Sequence, residues 1–140
     1  MLEQHKIQGM SLIDFMTKYE EQPFELIDGE IVVMTPMKYK HNIIQKRIFA
    51  KFLKYEQSTN SGEVFSEMPF VLEHSSDWLS GSRVPDVMYF QSQRLDTYRS
   101  NEADFEDKPM VLVPDIVVEV VSPSDSYSDV TRKVRVYLED

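Results

Sequence analysis

One acidic residue stands where an acid is costly. Ile116-Val-Val-Glu-Val-Val121 is apolar throughout except for Glu119. Strand alternation places Val117, Glu119 and Val121 on one face, and Ile116, Val118 and Val120 on the other. A carboxylate in such a run must be paired, protonated or bound to a cation, because an isolated buried charge is strongly destabilising. A salt bridge to Arg or Lys, or a place at the strand's exposed end, is the plainer reading. A second acid, Asp86, lies in the short apolar stretch Val84-Pro-Asp-Val-Met88, where a turn or capping role is its ordinary use. Together the two acids point to a shared divalent cation. Neighbouring strands lie about 4.8 Å apart, so carboxylates on each can hold one Mg²⁺ or Mn²⁺, with the Val120 carbonyl as a third oxygen ligand. Asp115 shares the face of Glu119 but follows Pro114 at the strand start, and it reads as a turn acid.

The elements that must position these residues follow from pattern. Ser11 to Glu20 is predicted to be a short helix with Ser11 as N-cap and Leu12, Phe15, Met16 and Tyr19 at helical spacing, ended by Pro23. Phe24 to Val33 reads as a hairpin turning at Asp28-Gly29, where a type I′ turn needs positive φ. A helix from about Tyr39 to Gln57 carries the apolar stripe Ile44, Ile48, Phe52 and Tyr55. Glu63 to Glu73 reads as a strand, with Pro69 marking an edge or bulge. His74 to Ser82 reads as a loop and Arg83 to Phe90 as a short strand. Gln91 to Met110 reads as a long polar loop with at most a helical turn. Ile116 to Val121 is predicted to be a central strand covered on both faces. A last helix from about Ser126, capped by Ser124 or Asp125, turns Tyr127, Val130, Val134, Tyr137 and Leu138 to the core. This order implies an α/β (α+β) fold, a mixed β-sheet flanked by helices. The final helix meets the C-terminus with no stop signal, so the expectation is one domain over 1–140, truncated at its C-terminal end.

Composition narrows the chemistry. The 140 residues contain no cysteine, which excludes disulfides, thiolate metal sites and cysteine nucleophiles. His5, His41 and His74 lack zinc-ligand spacing. No phosphate-cradling glycine loop and no G-x-S-x-G context are present. No apolar run approaches a membrane span and the first ten residues are polar, so a soluble cytoplasmic domain is the default. With 15 Lys+Arg against 24 Asp+Glu the net charge is −9, which disfavours a tight non-specific grip on nucleic acid. Lys38, Lys40, Lys46, Arg47, Lys51 and Lys54 form the one basic region, and its ordinary reading is the wet face of an amphipathic helix. Trp78 reads as a packing residue in a loop.

Pro85-Asp86, a gap, then Glu119 in a hydrophobic strand resembles the PD-(D/E)XK nuclease superfamily. The lysine usually found two residues after the second acid is Val121 here. Several branches carry it on the following helix, where Lys133 lies beside Val130, Val134 and Tyr137 on a helical wheel; as a residue alone it reads as a snorkelling surface lysine. The wider pattern is similar to the Uma-type family of restriction endonucleases. It comprises Phe24-Glu-Leu-Ile-Asp-Gly-Glu30, Met34-Thr-Pro36, His41 opening a helix, Val84-Pro-Asp-Val87, and Pro114 to Asp125 followed by Lys133 and Tyr137. It runs from about Glu20 to the C-terminus, and Glu119-Val-Val-Ser-Pro-Ser-Asp125 is its most specific part. The resemblance implies a restriction-endonuclease-like fold and Mg²⁺- or Mn²⁺-dependent hydrolysis of nucleic acid, DNA in the first place. It implies Asp86 and Glu119 as metal ligands, Lys133 as the positively charged catalytic residue, Glu25 as an additional acid, and His41 as a residue orienting a ligand or water. A nuclease fold without turnover, serving recognition or assembly, is the alternative. A homodimer paired through an apolar edge strand is a further expectation.

Overall fold

The computed structural model describes residues 8–75, 77–121 and 127–139, and for Glu73, Tyr127, Asp129, Lys133, Val136 and Glu139 the backbone alone. The expected N-caps of the last helix, Ser124 and Asp125, lie outside the described residues.

Strand β1 (Met10–Ser11) leads into helix α1 (Leu12–Glu21), whose first turn is capped as expected: the Asp14 N–H donates to Ser11 Oγ at 3.2 Å. Strands β2 (Phe24–Ile27) and β3 (Glu30–Val33) form the expected hairpin. Its turn residues Asp28 and Gly29 have φ of 54° and 82°, the left-handed pair that a tight turn of matching twist needs. Helix α2 (Tyr39–Thr59) ends on Asn60 in the left-handed conformation. Then follow β4 (Gly62–Phe65), β5 (Phe70–Ser75), β6 (Trp78–Arg83), β7 (Val87–Gln91), α3 (Ser92–Asn101), a 3₁₀ turn (Phe105–Asp107), β8 (Ile116–Val118) and α4 (Tyr127–Glu139).

The strands make two sheets. In the first, β6 pairs with β5 along one edge and with β1 and β2 along the other, and β3 extends the sheet beyond β2. Helix α1 covers it, with Phe15 edge-on to Phe24 at 5.2 Å among Met10, Leu26, Val71 and Leu79. The second sheet has the order β4-β7-β8, all antiparallel. Its centre is β7. Val87 and Tyr89 face Ile48, Phe49, Phe52 and Leu53 of α2, while Met88 and Phe90 face Leu95 and Tyr98 of α3. This two-residue alternation places helices on both faces of one sheet. Among the described residues no helix is long and apolar enough to cross a membrane.

Several expected elements differ. β7, not the run around Glu119, is the strand covered on both faces. β8 stops at Val118, pairs only with β7, and leaves Ile116 and Val121 exposed. Pro114 brings no N–H to a ladder, and Asp115 next to it is tied to β7, so the hydrophobic run enters the sheet late. The expected strand over Glu63 to Glu73 is two strands in different sheets, broken at Glu67, whose φ is 55°, and at Pro69. The expected loop before Arg83 is the central strand β6, and the long polar loop contains α3 anchored by buried Leu95 and Tyr98. Helix α2 is rotated from its expected stripe: Ile44 and Tyr55 are exposed, and Gln45 is the buried side chain.

Candidate active site

The two sheets meet at a bend, Val84-Pro85-Asp86, between β6 and β7. Pro85 fixes its own backbone and cannot join a ladder. The bend is held by side chains instead. Glu25 Oε2 on β2 accepts the Val84 N–H at 2.9 Å. Arg83, buried at the end of β6, donates Nη1 to the carbonyls of Leu26 and Ser82 at 2.5 and 2.8 Å. Ser82 Oγ accepts the Leu26 N–H at 3.0 Å. Glu25 is 8% exposed, with Oε2 turned to the bend.

Asp86 follows the bend and is 9% exposed. Its Oδ1 lies 3.0 Å from His41 Nε2 in the first turn of α2, and its Oδ2 accepts the Val120 N–H at 2.6 Å. That second bond brings Asp86 to the peptide next to Glu119. Glu119 Oε1 in turn accepts the Tyr137 hydroxyl of α4 at 2.6 Å. Burial first, then the charge and hydrogen bond of Glu119, then the Glu25 charge, hold the Tyr137 phenol far above its ordinary value, against a smaller opposing effect of Arg83. Tyr137 is therefore held in its protonated form, the form that donates to Glu119, beyond the ordinary range of a phenol.

The fold brings Glu25, His41, Asp86 and Glu119 to one locality. The structure shows the Val120 N–H bonded to Asp86. The side chain of Lys133 lies outside the described residues; its backbone is on α4, four residues before Tyr137. Asp115 is separate and structural: it accepts the Gln91 N–H at 2.7 Å and pairs with Arg94 at 2.9 Å. Sequence reasoning gave Tyr137 only a packing role, although its hydroxyl is a polar tip on an otherwise apolar face, one turn beyond Lys133. It also passed over Gln45, one turn beyond His41, which is 4% exposed with Oε1 lacking a partner.

These donors suit a hard cation. Asp86 and Glu119 offer oxygen alone, and among the described residues no three His, Cys, Asp or Glu side chains cluster as a metal cage. Mg²⁺ is commonly held by one or two carboxylates and completes its shell with water and substrate phosphate.

The family profile Uma2, described as "Putative restriction endonuclease", matches residues 12–140. No curated protein matches the chain. Among solved structures, the chain is similar to a protein from Anabaena variabilis ATCC 29413 described as a putative nuclease belonging to DUF820. The TM-score is 0.67 at 22% identity, covering 93% of this chain and 68% of that one. At that identity the likeness speaks to the fold, which is restriction-endonuclease-like. With the profile spanning nearly its whole length and the fold in agreement, this chain belongs to the Uma2 family of restriction-endonuclease-like proteins.

Proposed function

We propose that this domain is a divalent-cation-dependent endonuclease that hydrolyses phosphodiester bonds of DNA. The observation that carries the reading is the bond from the Val120 N–H to Asp86 Oδ2, which brings the Asp86 carboxylate from a separate segment to the peptide that follows Glu119. In this reading Asp86, Glu119 and the Val120 carbonyl hold Mg²⁺ or Mn²⁺. A cation bound there would supply Lewis-acid polarisation of the phosphodiester and would lower the pKa of a bound water. His41 fixes the rotamer of Asp86 from the start of α2. Tyr137 fixes that of Glu119 from α4. Lys133 stabilises the charge that develops on the phosphoryl oxygens. Glu25 maintains the bend on which Asp86 sits and adds negative charge beside it.

Calorimetric titration with Mn²⁺, on the parent and on Glu119→Gln, tests the site without a choice of substrate. Binding of one or two ions by the parent and its loss in the variant supports the reading, and nicking of supercoiled plasmid with Mn²⁺ then tests turnover. One observation favours a second reading, a recognition module without turnover: Val121 occupies the position of the superfamily's usual lysine. A parent chain that binds no Mn²⁺ yet retains DNA binding would establish that alternative.

A further inference from the structure

Helix α2 carries a charge pattern that does nothing for the fold. Its 21 residues include Lys40, Lys46, Arg47, Lys51 and Lys54 and a single acid, Glu56. The helix is thus +4 in a chain of −9, leaving −13 for the remainder. At 100° per residue, Lys40, Arg47, Lys51 and Lys54 fall within a sector of about 60°, on the side away from buried Gln45 and from Ile48 and Phe52. All four are exposed.

Three features separate this stripe from an ordinary wet face. The first is pairing. Elsewhere Arg94, Arg99 and Lys108 each hold an acid, whereas among the described residues none of the α2 cations has an ionic partner. The second is polarity along the helix. The first turn has no acid, the last has no base, and Lys40 sits at the N-terminal end, where the macrodipole repels cations. Like charges also stack at Arg47–Lys51 and Lys51–Lys54, spacings at which they repel. A helix selected only for its own stability would show the reverse pattern. The third is placement. The end that begins the stripe also carries His41, 3.0 Å from Asp86.

We propose that this face of α2 is a docking rail for the phosphate backbone of nucleic acid, leading a strand to the Asp86–Glu119 site. The inference rests on the nuclease reading for what happens at its end, but not for the binding itself. From Lys40 to Lys54 the rail is about 21 Å long, matching about six phosphates of one strand at 3.4 Å axial spacing. The net negative charge of the rest of the molecule keeps non-specific binding weak elsewhere and confines the polyanion to this helix.

The test is fluorescence anisotropy of a labelled DNA duplex, and of an RNA duplex of the same sequence, titrated in EDTA at several salt concentrations. The proteins are the parent, the triple variant Arg47→Gln/Lys51→Gln/Lys54→Gln, and Lys18→Gln as an off-rail control. Gln is a good helix former, so the triple variant is expected to melt no lower than the parent. On DNA it should bind at least tenfold more weakly at moderate salt, with a log K against log salt slope shallower by about 2.7 for three lost contacts. The control should match the parent. A preference for DNA over RNA identifies the duplex form the rail accepts. Unchanged affinity and slope in the triple variant, or a parent without salt-dependent binding to either duplex, would overturn the rail. Mn²⁺-dependent hydrolysis of bis(p-nitrophenyl) phosphate by the parent, which is too small to need a rail, decides the nuclease reading separately.

Discussion

The Tyr137 hydroxyl donates to Glu119 Oε1 at 2.6 Å, so the last helix is tied to the chain just after β8 through a carboxylate of the candidate site. Removing that donor with Tyr137→Phe leaves the ring to pack near Phe70, where the two centroids are 6.5 Å apart. A hydrogen bond to a charged group contributes about 1.5–3 kcal/mol, and the half-buried setting places the expected loss at the lower end. Glu119 also loses one of the contacts that orient it, so Mn²⁺ affinity should fall by about tenfold or more. Chemical denaturation and calorimetry on the same variant measure the two effects. Unchanged Mn²⁺ affinity would reduce Tyr137 to a packing residue.

The same bond has an alkaline signature. The folded phenol ionises well above the unfolded value of 10.0, so its contribution is fully present below pH 10.0 and is lost as pH rises beyond it. In EDTA, the melting temperature of the parent should fall above that pH more steeply than that of Tyr137→Phe. Parallel curves would contradict the assignment.

Asp86 is engaged at both oxygens by protein donors, and in the proposed site it also faces the cation. A saturating ion that binds only the folded state raises stability by about 2.7 kcal/mol at one hundred times its Kd. Adding Mn²⁺ should therefore raise the melting temperature of the parent and leave that of Asp86→Ala unmoved. An equal rise in both would place the ion elsewhere.

Gln45 makes the opposite case. A buried acceptor without a donor costs about 1–3 kcal/mol, and Leu matches its size without that cost. Gln45→Leu should be more stable than the parent by about 1 kcal/mol in urea denaturation. A loss of stability would mean that the amide has a partner in solution.

Asp115 serves as the control acid. Asp115→Ala removes the acceptor of the Gln91 N–H and the partner of Arg94, so it should lower stability by about 1 kcal/mol while Mn²⁺ affinity stays at the parental value. A drop in affinity would draw Asp115 into the site.

What was legible in the sequence was what local chemistry decides. Ser11 caps α1, Asp28-Gly29 turns the hairpin, and two acids in apolar runs mark the region where the fold gathers charge. What was not legible depended on partners distant in the chain. Trp78-Leu-Ser-Gly-Ser-Arg83 has the composition of a loop, yet it is the best-paired strand, because β1, β2 and β5 take its two edges. Helix α3 has only Leu95 and Tyr98 as anchors, too few to show a periodic stripe, and β7 supplies the surface on which they bury. The inward face of α2 was misread, because the stripe through Ile44 and Tyr55 left out Phe49 and Leu53, which pack with Ile48 and Phe52 against β4 and β7. Tyr137 counted as apolar because a sequence shows its ring and not where its hydroxyl ends.

The bend between β6 and β7 has a consequence for how the site can be watched. The amide protons of Val84 and Val120 are held by the carboxylates of Glu25 and Asp86, where strand amides are held by carbonyls. Their exchange with deuterium reports the intactness of the acidic cluster itself, separately from the ladders on either side. Two ordinary valines are in this way native reporters for the assembly of the charged groups around them.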